Sequence, residues 1–85
     1  MVLWYNRKKN GSWTMTISYK KLWKLLIDKD MKKKDLQIRA QISPASIAKL
    51  SKNENVTTEI IIKICKALNC DVSDIMEVVE DSGNE

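Results

Sequence analysis

Residues 32–53 read KKKDLQIRAQISPASIAKLSKN, and this stretch decides the fold. Leu36 and Ala40 are four apart, so on a helix they share one face. That predicts a short helix over Lys33–Ala40. Ser43 followed by Pro44 is a strong helix start, because a serine hydroxyl caps free N–H groups and proline fits the first helical position. A second helix is therefore expected over Pro44–Leu50, with Ile47 and Leu50 inward. Only Gln41-Ile42-Ser43 separates the two, so they form a tight pair joined by a three-residue turn.

Working outward, Tyr19, Leu22, Trp23 and Leu26 recur at i, i+3, i+4 and i+7. They predict a helix over Tyr19–Asp28 with Ser18 as its cap, closed by a turn at Asp30-Met31. Trp23 is read as core rather than as a platform for stacking bases. After the pair, Ser51–Asn55 is polar, and Asn53 suits the left-handed conformation that ends a helix. A fourth helix is expected from Thr57 to Leu68, with Ile61, Ile64, Cys65 and Leu68 as its stripe and Ile60 and Ile62 widening it. A fifth is expected after Asp71, with Asp74 completing a partial capping box and Val72, Ile75, Met76 and Val79 buried. The expected fold class is all-α, with five helices around one core and a short N-terminal extension.

The domain layout follows. An 85-residue chain holds one domain with a modest core. Residues 15–80 form it. Residues 1–14 are an extension, either loosely ordered or a short hairpin turning at Asn10-Gly11 and pairing residues near Trp4 with residues near Ile17. Residues 81–85 are an acidic tail. The apolar run Val2–Tyr5 is too short for a signal-peptide core, and no stretch approaches a bilayer span.

Charge is unevenly spread. The chain carries a formal +4. Thirteen Lys or Arg against three Asp leave residues 1–52 at +10, while two Lys against eight acids leave residues 53–85 at −6. A basic half and an acidic half would orient the molecule on a polyanion. Catalysis has little to stand on. There is no histidine, no paired carboxylates in an apolar setting and no glycine-rich phosphate loop. Cys65 and Cys70 are five apart and lack a third ligand type, so neither a metal site nor any cofactor is expected. Both read as small apolar residues in a reducing cytoplasm, and a disulfide between them near a helix end is geometrically awkward.

A helix that reads the major groove needs a small, polar outward face near its N-terminus. Pro44–Leu50 has one in Ala45, Ser46 and Lys49. At this point the residues carry a resemblance. Lys32–Asn53 resembles the Xre/Cro-type, lambda-repressor-like helix-turn-helix family, and residues 62–79, IKICKALNCDVSDIMEVV, resemble its last two helices. The likeness spans about Met15–Val79. It departs at Gln41, where the family often has glycine, and at Gln37, where a small residue is usual. The resemblance implies a double-stranded DNA binder that regulates transcription as a repressor, with residues 43–50 as the recognition helix, and a homodimer on a palindromic operator. It places Ala45, Ser46 and Lys49 at base edges. It places Lys33, Lys34, Ser43, Lys52, Asn53 and Thr57 at phosphates. Arg7–Lys9 reads as surface charge or as an arm for the minor groove. The alternative is a protein-interaction module, such as an antitoxin or partner-binding subunit, with DNA binding secondary. Neither reading involves a membrane or a small-molecule substrate.

Overall fold

The computed structural model describes residues 14–81. The elements run β1 (Thr14–Ser18), α1 (Lys20–Asp28), α2 (Lys33–Ala40), α3 (Pro44–Ser51), α4 (Thr58–Leu68), a three-residue 3-10 turn (Val72–Asp74) and β2 (Glu77–Asp81). Over these described residues the fold is mostly helical, with four helices and a small two-stranded sheet rather than five helices alone.

Most of the core is where the periodicities put it, and Ile42 joins it from the turn between α2 and α3. Tyr19, Leu22, Leu26, Leu36, Ala40, Ile42, Leu50, Ile61, Ile64, Leu68 and Ile75 are buried and form one cluster. Ile47, Trp23 and Cys65 pack against its margin. Each fully buried Leu or Ile contributes roughly 1.5–3 kcal/mol of transfer free energy, and that favourable term holds short helices together. Ile62 does not widen the α4 stripe: it is 60% exposed, because it lies next to Ile61 and so turns away from the face that Ile61 buries.

Every one of the four helices stops the same way. A non-glycine residue with positive φ follows or ends each: Asp30 at 57°, Gln41 at 57°, Asn53 at 57° and Asn69 at 53°. The next residue's N–H then reaches back five positions, Met31 to Leu26, Ile42 to Gln37, Glu54 to Lys49 and Cys70 to Cys65. Each is a Schellman closure, in which a left-handed residue lets two free carbonyls be satisfied. Asn and Asp tolerate that conformation, whereas Gln41 carries a cost of about 1 kcal/mol. Gln41→Gly is therefore expected to stabilise the domain by about 0.5 kcal/mol after glycine's extra unfolded-state entropy is deducted. A thermal melt should rise by about 2–4 °C. A fall would mean that the Gln41 side chain contributes more than its backbone costs.

The expected fifth helix is corrected. The Asp71–Asp74 capping box does form, with the Asp71 N–H donating to Asp74 Oδ2 at 2.9 Å. It starts only a 3-10 turn. Ile75 and Met76 turn inward, but Val72 is 45% exposed, and the chain then extends. Glu77–Asp81 pairs antiparallel with Thr14–Ser18, from Thr14 opposite Asp81 to Ser18 opposite Glu77. The adjacent β-branched Val78 and Val79 suit that strand, and a lone eight-residue helix gains too little to compete with a ladder. The sheet also revises the limits expected for the extension and the tail. Thr14 and Asp81 both belong to it, and Ile17 pairs with Val78. Pairing with residues near Trp4, the Arg7–Lys9 cluster and residues 82–85 lie outside the described residues.

Candidate nucleic-acid interface

α2 packs chiefly on α4 and also touches α3. α3 is pinned by one fully buried side chain, Leu50 near its C-terminal end, with Ile47 half-buried behind it. The opposite face is left to solvent. Ala45 and Lys49 are exposed and Ser46 half-exposed. The Ser43 hydroxyl accepts from the Ser46 N–H at 3.1 Å, the expected cap, and also lies 3.1 Å from the Ser46 hydroxyl. Ser46 therefore shares its hydroxyl with the cap and keeps capacity for a further partner. The start of α3 thus presents a small polar surface over a capped first turn, which a base edge can approach.

The expected phosphate-contact residues are not equivalent. Lys34 and Lys52 are exposed cations. Thr57 caps α4, its hydroxyl accepting from the Ile60 N–H at 3.2 Å. Two others are occupied within the fold. Asn53 Oδ1 accepts from the Tyr19 N–H at 3.0 Å, while the Tyr19 hydroxyl donates to the Glu54 carbonyl at 3.0 Å. Tyr19 sits at the β1–α1 junction, only 1% exposed, and burial pushes its phenol pKa up. It therefore ties the loop after α3 to the start of α1. Lys33 Nζ donates to Ser51 Oγ at 2.9 Å and lies 4.4 Å from the centroid of the Trp23 ring. Neither Tyr19 nor Trp23 was legible as a support of this face, because each reaches its partner across the fold.

Lys21 is likewise engaged, donating to the Ser73 carbonyl at 3.0 Å and lying 3.9 Å from a Glu77 oxygen. Cys65 and Cys70 are free thiols. Their spacing is that of a Schellman closure, whose two flanking side chains touch. Burial, the largest cause, pushes both thiols up, Cys70 to about 11, so they stay neutral and behave as packing groups. Among the described residues no group of three or more His, Cys, Asp or Glu could hold a metal ion. No helix there is long and apolar enough to cross a membrane.

Two short helices joined by a left-handed turn, the second anchored at one end and bare along its outer face, define a helix-turn-helix DNA-binding domain. Residues 21–81 match the family model of the Cro/C1-type helix-turn-helix DNA-binding domain, and the chain belongs to that family. Among solved structures, the crystal structure of the transcriptional regulator VanUg is 51% identical to it, with a TM-score of 0.76, over 79% of this chain and 89% of that one. A comparison with curated proteins returns no match.

Proposed function

We propose that the protein is a transcriptional regulator that binds double-stranded DNA sequence-specifically, with α3 in the major groove. The observation that carries this reading is the exposed Ala45–Ser46–Lys49 face at the capped start of a helix held to the core by Leu50. Lys49 can donate to guanine O6 and N7, Ser46 can serve as donor or acceptor, and Ala45 can meet a thymine methyl. Lys34, Ser43, Lys52 and Thr57 flank that face and approach phosphates. Such contacts fix register without reading sequence. The likeness to a transcriptional regulator over most of both chains supports the regulatory role.

One short recognition helix reads few base pairs. The protein therefore acts as a homodimer on a palindromic operator, with half-sites about one helical turn apart. It represses by occluding the promoter, works in the cytoplasm and performs no catalysis. The test is an anisotropy titration against a random-sequence duplex pool at two salt concentrations, with sequencing of the retained DNA. Salt-sensitive binding that enriches a two-fold-symmetric site is the expected result. No binding at low salt overturns the reading in favour of a protein-interaction module.

A further inference from the structure

Lys33 stands apart from its neighbours Lys32 and Lys34. Its ammonium is drawn to two partners on two other elements. One is the ring of Trp23 on α1, 4.4 Å away, and the other is the hydroxyl of Ser51, the last residue of α3, at 2.9 Å. Lys33 is itself the first residue of α2. The contact thus joins the two ends of the helix pair that lie farthest from the turn at Gln41–Ser43. The turn fixes the near ends; at the far end Leu50 and the Asn53–Tyr19–Glu54 bonds already hold α3 to the core and to α1, and this contact ties the start of α2 to it. Leu50 is the single fully buried side chain of α3, so the angle between α2 and α3 is set by the turn at one end and trimmed by this contact at the other.

We propose that Lys33 is a positioning residue, a strut from Trp23 to Ser51 that sets the angle at which α3 is presented to DNA, rather than a phosphate ligand. The proposal rests on the DNA-binding reading above. A cation over an indole face is attracted by the ring quadrupole, and a hydrogen bond from a charged donor is stronger than a neutral one. Moving this ammonium to a phosphate would give up both. A strut and a phosphate ligand differ in what their loss does. A lost phosphate contact weakens binding to every sequence alike and lowers the log–log salt slope by about one unit. A mis-set recognition helix loses base contacts, which only the cognate site supplies.

The experiment compares wild type, Lys33→Met, Lys33→Arg and Ser51→Ala on two probes, the duplex enriched by wild type and a random-sequence duplex, across a salt series. Lys33→Met keeps the stem over Trp23 and removes the charge and the hydrogen bond. It is expected to bind the enriched duplex about three- to tenfold more weakly, with an unchanged salt slope and unchanged random-duplex affinity. Ser51→Ala should move the same way by less. Lys33→Arg can stack on Trp23 and donate to Ser51, and should restore wild-type binding. A Lys33→Met slope lower by about one unit, with equal weakening on both probes, overturns the strut and leaves the DNA-binding reading intact. Failure of wild type to enrich any duplex overturns both.

Discussion

Leu50→Ala is expected to destabilise the domain by about 3 kcal/mol, toward the upper range for a point change. Leu50 is fully buried and is the sole fully buried residue of α3. Truncating it removes most of a side chain's transfer free energy and leaves a cavity between α3 and the rest of the core. Short helices cannot hold themselves, so the loss falls on α3 first. In a domain of this size each kcal/mol is worth about 4–8 °C, and a melt followed by circular dichroism should fall by about 12–24 °C. A loss under about 1 kcal/mol would mean that Ile47, rather than Leu50, anchors α3.

Lys49→Ala is expected to do the reverse, leaving stability nearly untouched while weakening cognate binding by about 1–3 kcal/mol, or roughly five- to 150-fold. Lys49 lies on the exposed face of α3. If it donates to a guanine, removing it should also relax preference at a single base pair. Titrations on the enriched duplex and its single-position variants would show this as one position losing its discrimination. A uniform loss at all positions with a smaller salt slope would instead make Lys49 a phosphate contact.

These two expectations rest on the part of the molecule most legible in its sequence. The Lys33–Ala40 helix, the Ser43-Pro44 start and the inward Leu36, Ala40 and Leu50 are local signals, read within a turn or two of the helix they describe. The same is true of the Asn53 stop. What local reading missed was decided across the chain. Asp71 and Asp74 do form their capping box, yet the residues after them are claimed by β1, and Val72, Ile75, Met76 and Val79 happened to mimic a helical stripe. Asn53 and Lys33 read as phosphate contacts, but their partners in the fold, Tyr19 at 34 residues' separation and Ser51 at 18, leave no periodic trace. Cys65 and Cys70 are a similar case. Five-residue spacing says little by itself, and it makes sense once Asn69 is seen to turn left-handed between them.

The central claim is that α3 enters the major groove, and methylation interference on the enriched duplex tests it most directly. Guanine N7 lies in the major groove and adenine N3 in the minor. Guanine N7 methylation should exclude duplexes from the bound fraction at two clusters about one helical turn apart, and those clusters should weaken in Lys49→Ala. Interference confined to adenine N3, or none at either position, would contradict the account.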